Sequence, residues 1–212
     1  MKWDVLFEKI EKAVKKYYDE LAIKDYKDPF KVLIAGIISI RTKEEITKQV
    51  LKNLFSNVKE PKDILNLSLK ELENLLKPSG FYKQKAKWIK ELSKKIIEKY
   101  NGKVPDTYED LIKLPGVGNK VAKLVLDISF GKDYIVVDTH VHRIFNRLGI
   151  VNTKNPKETE NELYKIIPKE YWKKINRIFV LFGRHICLPK NPKCSLCPIK
   201  EFCKFYKERV KK

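Results

Sequence analysis

Apolar residues recur every three or four positions along most of the chain, and this spacing predicts amphipathic helices. The first segment follows the rule at Trp3, Leu6, Ile10, Val14 and Tyr17. The segment DPFKVLIAGIISI is apolar on nearly every side, so we expect a central buried helix there. Only DYIVVDTH resembles a strand, and no nearby segment offers it a pairing partner. The pattern therefore predicts an all-α fold.

Residues with strong positional preferences mark the ends of these helices. Pro78 and Gly80 stop one helix, and Asn101, followed by a glycine, closes the long helix after it. Thr107 and Asn155 are residue types that cap helix N-termini, and each is followed three positions later by an acidic residue. The helical segments are thus separated by short turns.

The charge balance narrows the class of partner. The chain has 46 basic and 27 acidic residues, a net charge of +19. This excess favours a polyanion, with nucleic acid first and a membrane surface second, although lysine-rich surfaces also occur in heat-adapted proteins. No apolar run is long enough to span a bilayer, and the N-terminal segment carries acids unlike a signal peptide. We expect a cytoplasmic protein whose cysteines are reduced.

The segment LPGVGNKVAK reads as a tight turn between two helices. Gly116 and Gly118 allow backbone angles that other residues avoid, and they let the main chain approach a partner closely. The turn of Gly116, Val117 and Gly118 leads into a helix N-terminus, which is a natural phosphate site. An ordinary helical hairpin with outward-facing Lys120 and Lys123 would show the same short pattern.

Lys120 falls in the first turn of the second helix, where helix dipoles disfavour a positive charge. The neutral amine is the nucleophilic form of lysine, so an amine beside a phosphate-binding turn could attack a sugar carbon. Taken alone, Lys120 could equally be one more surface lysine.

Asp138 follows an apolar run and precedes a helical pattern, so we expect it to be an N-cap. An N-cap carboxylate is held rigidly, and a carboxylate near a reacting sugar can stabilise an oxocarbenium-like transition state. His140 and His142 could act as bases, but packed or hydrogen-bonded histidines are the more common case.

Four cysteines lie close together in a C-x6-C-x2-C-x5-C pattern formed by Cys187, Cys194, Cys197 and Cys203. Such a group in a reducing compartment indicates a metal centre. Zinc sites with four cysteines usually show two close pairs, whereas this pattern has one, and iron–sulfur clusters also take four cysteines. The spacing leaves the metal open. Lys190 and Lys193 give this loop a basic surface suited to phosphate, or simply to solvent.

Together and in this order, LPGVGNKVA, VDTHVHR and the cysteine spacing closely resemble endonuclease III, a helix-hairpin-helix DNA glycosylase with a [4Fe-4S] cluster. The likeness extends to DPFKVLIAGIIS, GFYKQKAKWI and NGKVP. It implies two α-helical lobes, with a hairpin domain at 22–132 and a cluster domain formed by 1–21 and 133–212. The four cysteines would be the cluster ligands.

The resemblance also implies an activity. The chain would remove oxidised pyrimidines from duplex DNA and cleave abasic sites by β-elimination, as a monomer. Lys120 matches the family's Schiff-base lysine and Asp138 its catalytic aspartate. The alternatives are a mismatch adenine or thymine glycosylase, which usually lacks this lysine, and a non-catalytic DNA-binding module, which needs neither residue.

Two positions depart from the family pattern. Arg41 stands where bacterial relatives commonly have glutamine, and Phe81 where they often have leucine. The resemblance places both in the DNA, where they would hold the base stack while the target nucleotide is extruded. The plainer interpretation is that Arg41 binds a phosphate and Phe81 lies in the core.

Overall fold

The computed structural model describes residues 2–210, and throughout that range the chain is helical with no β-strand. Its α-helices are α1 (Trp3–Val14), α2 (Pro29–Ser39), α3 (Glu44–Asn57), α4 (Pro61–Asn66), α5 (Leu69–Leu76), α6 (Tyr82–Tyr100), α7 (Tyr108–Leu111), α8 (Asn119–Phe130), α9 (Thr139–Leu148), α10 (Pro156–Ile166), α11 (Trp172–His185) and α12 (Lys204–Val210). Short 3-10 turns lie at Lys15–Glu20, Lys169–Tyr171, Cys194–Leu196 and Lys200–Phe202. The predicted all-α fold is confirmed. No described helix is both long and apolar enough to cross a membrane.

The chain divides into two compact units. The hairpin unit runs from Asp19 to Lys132 and contains α2 to α8. The cluster unit joins the segment up to Tyr18 to everything from Asp133 onward, and contains α1 and α9 to α12. Residues 1, 211 and 212, which end the predicted cluster domain, lie outside the described residues.

Helix α2 forms the centre of the hairpin unit. Its side chains from Val32 to Ile38 are fully buried, because the helix packs against α3, α6 and α8. Gly36 brings α2 close to α8, since a Cβ added there would lie 2.9 Å from a methyl carbon of Val121. The segment predicted to be a central buried helix is one.

The cluster unit has an aromatic core. Helix α11 packs against α1 and α9. The ring of Phe179 lies 5.7 Å from that of Phe7 and 4.7 Å from that of Phe145, centroid to centroid. Rings at these separations pack edge-on or tilted, which is favourable beyond the area that they bury.

The strand-like segment DYIVVDTH is not a β-strand: residues 133–138 have no regular secondary structure, and Thr139 and His140 begin α9. The backbone N–H of Ile135 donates to the Tyr164 hydroxyl at 3.0 Å, and Asn176 Nδ2 donates to the Val136 carbonyl at 3.2 Å. Side chains of α10 and α11 thus satisfy backbone groups that a sheet would otherwise pair. The segment leads directly into Asp138.

Candidate functional site

The glycine turn between α7 and α8 is supported from behind by Trp88. Gly116 has φ 78°, a left-handed conformation that favours glycine, and a Cβ added there would lie 3.0 Å from the Trp88 side chain. Val117 is buried, whereas nothing lies within 4 Å of a Cβ added at Gly118. The turn therefore packs against Trp88 at Gly116, whereas Gly118 is exposed.

Gly118 is the N-cap of α8, so Lys120 is the second residue of that helix. Lys120 is exposed, as predicted. Lys123 was expected to face outward as well, and that is wrong: it is 8% exposed, and its Nζ lies 5.8 Å from the centroid of the Tyr108 ring. Its long apolar stem packs beside α7, which the helical spacing alone did not indicate.

Asp138 caps α9 as predicted. Its Oδ1 accepts hydrogen bonds from the N–H groups of His140, at 2.9 Å, and Val141, at 3.0 Å. The two histidines are hydrogen-bonded within the protein: His140 Nδ1 lies 3.1 Å from Nη2 of Arg143, and His142 Nδ1 lies 2.6 Å from Thr159 Oγ1. These two hydrogen bonds fix the orientation of the Asp138 carboxylate, because Oδ1 accepts both backbone N–H groups.

Arg41 and Phe81 are neighbours in the hairpin unit. The guanidinium carbon of Arg41 lies 5.4 Å from the Phe81 ring centroid, within the range of a cation–π contact. Phe81 is 61% exposed, so the interpretation of this ring as a core residue is wrong. Both residues have left-handed backbones, with φ 50° and 57°, which is uncommon for residues other than glycine.

All four cysteines line one cavity in the cluster unit, together with side chains from α9 and α12. Each cysteine is half-buried and none is in a disulfide. Burial raises the pKa of Cys197 to about 11, and the neighbouring cysteines add to the effect. These thiols lie close enough to affect one another's ionisation, as expected for ligands of one centre.

Two arginines of α9 hold the first cysteine in place, and sequence reasoning missed both. Arg147 Nη1 donates to Cys187 Sγ at 3.3 Å and to the Leu188 carbonyl at 2.6 Å. Arg143 donates to the Cys187 carbonyl from Nε at 3.2 Å and from Nη2 at 2.9 Å. Their spacing of four residues on a helix next to Asp138 was the available signal.

Lys190 and Lys193 are exposed on the loop between the first two cysteines. Asn191, between them, turns the chain with φ 48°, and the Lys193 N–H donates to the Ile186 carbonyl at 2.9 Å. The loop thus has a defined path, and its two lysines reach solvent.

Comparison with known proteins assigns this arrangement to a family. The model of the HhH-GPD superfamily of base excision DNA repair proteins matches residues 34–169, and that of the iron-sulfur binding domain of endonuclease III matches residues 187–203. Endonuclease III of Thermotoga maritima is 48% identical over 87% of this chain and 86% of its own length. The chain belongs to the endonuclease III family. Members of this family are DNA glycosylases that also act as abasic-site lyases, and this chain has that class of activity.

Solved structures agree with the assignment. A trapped covalent endonuclease III–DNA intermediate, in a complex with an estranged adenine, is 36% identical and superposes with a TM-score of 0.87 over 96% of this chain and 95% of its own. A thermostable thymine-DNA glycosylase is 26% identical, with a TM-score of 0.81 over 95% of this chain and 98% of its own. The mismatch glycosylase remains a relative in fold, but endonuclease III is the closer match of these two.

The endonuclease III family binds a [4Fe-4S] cluster, and the cysteine cavity of this chain fits one. Within the described residues, no three His, Cys, Asp or Glu side chains form a group that could hold a single metal ion. A four-iron cluster takes four cysteine ligands, and they bind different irons, so their sulfurs surround a space without meeting at one atom. Cys187, Cys194, Cys197 and Cys203 all line one cavity, so the four ligands that such a cluster needs are brought together.

Proposed function

We propose that this chain excises oxidised pyrimidines from duplex DNA and then cleaves the abasic site through an imine on Lys120. The observation that carries the proposal is the position of Lys120, exposed in the first turn of α8, two residues after the open glycine of the hairpin. A phosphate held by the turn would bring the adjoining sugar within reach of the amine.

In the first step, neutral Lys120 Nζ attacks C1′ of the damaged nucleotide. The Nζ–C1′ bond forms as the bond from C1′ to the base breaks, and the departing base takes up a proton. The bonded nitrogen then loses a proton, and the lone pair that this frees expels O4′, which takes up a proton from solvent. The sugar ring opens and a positively charged imine remains between Nζ and C1′. A monofunctional glycosylase would use water and would form no such bond.

Asp138 is proposed to act on the charge that develops in this step. As the base departs, the sugar acquires oxocarbenium character, and a fixed carboxylate stabilises it. The cap bonds to His140 and Val141 keep the Asp138 carboxylate in place, so little reorganisation is needed during the reaction.

Strand cleavage follows from the imine. The positively charged imine acidifies the C2′ proton; its removal breaks the bond between C3′ and its phosphate oxygen, and water then releases the sugar from Lys120. The cluster is assigned no step in this chemistry. When bound, it would tie together the loop that carries Lys190 and Lys193.

The remaining proposed roles concern DNA binding. We propose that the enzyme is a monomer, that its partner is duplex DNA, and that it acts on chromosomal DNA in the cytoplasm. Gly116, Val117 and Gly118 would form the turn that binds a backbone phosphate, with the main-chain N–H groups of the two glycines as donors, because the Val117 N–H already donates to the Leu114 carbonyl at 3.1 Å. Lys190 and Lys193 would contact other phosphates, and Arg41 and Phe81 would enter the duplex. We also propose that residues 22–132 form one functional domain and residues 1–21 with 133–212 the other.

Borohydride trapping tests the mechanism. With a duplex containing thymine glycol, borohydride should reduce the imine and leave a protein–DNA adduct. Lys120→Ala should abolish the adduct while retaining DNA binding, because the turn supplies the phosphate contact. Lys113→Ala removes a nearby exposed lysine that pairs with Asp110, and should trap normally.

Asp138→Asn keeps a side chain able to cap α9 but removes its charge. We expect base release to slow by about a hundredfold or more, with DNA affinity nearly unchanged, because the loss falls on the transition state. Base release by the wild type without any adduct, or wild-type cleavage by Lys120→Ala, would contradict the proposed function.

A further inference from the structure

Lys85 is a fully buried lysine in the hairpin unit, near the start of α6. Its Nζ donates to the Ile38 carbonyl and to Thr42 Oγ1, each at 2.7 Å. Both partners are neutral oxygens, and among the described residues no carboxylate forms an ion pair with it. Burying an ammonium group without a counterion is unfavourable, so Lys85 is a poor choice if stability alone is its purpose.

The oxygens that Lys85 binds belong to the end of α2 and the loop after it. The last carbonyls of a helix lack partners within the helix. Here the Ile37 carbonyl accepts from the Ile40 N–H and the Ser39 carbonyl from the Thr42 N–H, both at 3.2 Å. The Ile38 carbonyl between them receives Lys85 Nζ. A side chain of α6 thus completes the C-terminus of α2 and fastens its loop to α6.

That loop contains Arg41, and Phe81 is the N-cap residue of α6. Gly80 lies against the loop so closely that a Cβ added there would be 2.6 Å from the Arg41 carbonyl oxygen. Arg41 and Phe81 both have left-handed backbones, and their side chains are in cation–π contact. Lys85 lies one helical turn beyond Phe81, and its two acceptors flank Arg41 in the chain, Ile38 in the last turn of α2 and Thr42 in the loop.

We propose that Lys85 is a positioning residue that holds Arg41 and Phe81 together as one preformed wedge for the DNA duplex. This rests on the proposed function, in which these two side chains enter the base stack. A wedge that is ordered before DNA binds loses little conformational entropy on binding, so more of its contact free energy contributes to affinity. The two left-handed backbones are strained and persist only where surrounding contacts hold them, and Lys85 provides two of those contacts.

Lys85→Met tests the proposal, because methionine has a similar length and no donor. The readout is the ratio of two excision rates for the same oxidised pyrimidine, one in a fully paired duplex and one in an unpaired bubble. Extrusion costs less from the bubble, so a wedge matters less there. We expect Lys85→Met to lower the ratio about tenfold, as a misplaced positioning group would. An equal loss on both substrates, or no loss, would overturn the proposal.

Lys90→Met is the matched control. Lys90 lies on the same helix and also donates to backbone carbonyls at a helix C-terminus, those of Leu65 in α4 and of Leu67 just after it, away from the wedge. Its removal should leave the ratio unchanged. If Lys85→Met does not fold, Thr42→Val removes one acceptor in its place and should lower the ratio in the same direction.

Arg41→Ala and Phe81→Ala separate this proposal from the proposed function. If neither lowers the ratio, the wedge itself is wrong, and the role of Lys85 falls with it. If they lower it and Lys85→Met does not, only the positioning role is wrong. In an Arg41→Ala, Phe81→Ala background, Lys85→Met should have no further effect on the ratio, because residues that act through one another are not additive.

Discussion

The free-energy cost of burying the Lys85 ammonium group can be measured independently of its proposed positioning role. Burial lowers the pKa of its amine from an ordinary 10.5 to about 8. Below about pH 8 the folded chain carries the full cost of a buried ammonium group. Between about pH 8 and 10.5 the folded chain releases this proton while the unfolded chain still holds it, so stability rises with pH in that window.

We therefore expect the wild type to gain about 1–3 kcal/mol relative to Lys85→Met as the pH rises through this window. Urea unfolding of both proteins at matched pH values measures the difference, and titration of the other lysines cancels in the comparison. A difference that does not change with pH would show that folding does not lower the pKa of Lys85.

The two glycines of the hairpin turn, Gly116 and Gly118, have different structural roles. Gly116→Val should lower the free energy of unfolding by about 1–3 kcal/mol, because the position is left-handed and faces Trp88 at 3.0 Å. Gly118→Ala should cost under about 1 kcal/mol, since nothing lies within 4 Å of the added carbon. If the turn contacts phosphate, Gly118→Ala should nevertheless weaken binding to all duplexes, measured by fluorescence anisotropy. Unchanged binding would contradict that contact.

The cysteine segment depends on its ligands more than on apolar packing. Between Cys187 and Cys203, a stretch described in full, Ile199 is the one buried hydrophobic side chain. We expect the purified protein to be yellow-brown with four irons per chain, and Cys197→Ser to lose this absorbance and the order of the segment. Iron analysis and hydrogen exchange of the segment measure the two effects. Stoichiometric zinc in a colourless protein would contradict the assignment.

At the scale of the whole molecule, several acidic side chains form ion pairs with nearby basic side chains. Glu11 contacts Lys174 and Arg177, and Asp133 contacts Lys169 and Lys173. The pKa of Asp133 is lowered by its hydrogen bonds to these two lysines. Because basic residues outnumber acidic ones by 46 to 27, the chain keeps an excess of positive charge that can displace counterions from DNA phosphates.

Affinity for duplex DNA should therefore fall steeply with salt, by a slope of roughly 0.9 in log–log terms for each phosphate contact. Lys190→Glu and Lys193→Glu should each reduce this slope by about one and weaken all duplexes alike. Lys165→Glu makes the same charge change on α10, at a lysine paired with Glu162, and serves as the control. Binding independent of salt would overturn the electrostatic basis.

The amino-acid sequence by itself determined the features that arise from near neighbours. Helices followed from the three-to-four-residue spacing, because helical hydrogen bonds join residues four apart. The caps at Thr107, Asp138 and Asn155 followed for the same reason, and each accepts the backbone bond expected of it. The glycine turn beside Lys120 and the close cysteines are likewise local patterns, so motif and family could be inferred before the fold.

Tertiary structure decided which polar side chains are buried and which distant residues meet. Lys123 was expected to face outward, and nothing in the local pattern marks Lys85 as a core residue, yet both are buried where other helices cover them. The pairing of Arg41 with Phe81, and of Arg147 with Cys187, joins residues far apart in the chain. No local spacing encodes these contacts, because they depend on how whole helices pack against one another.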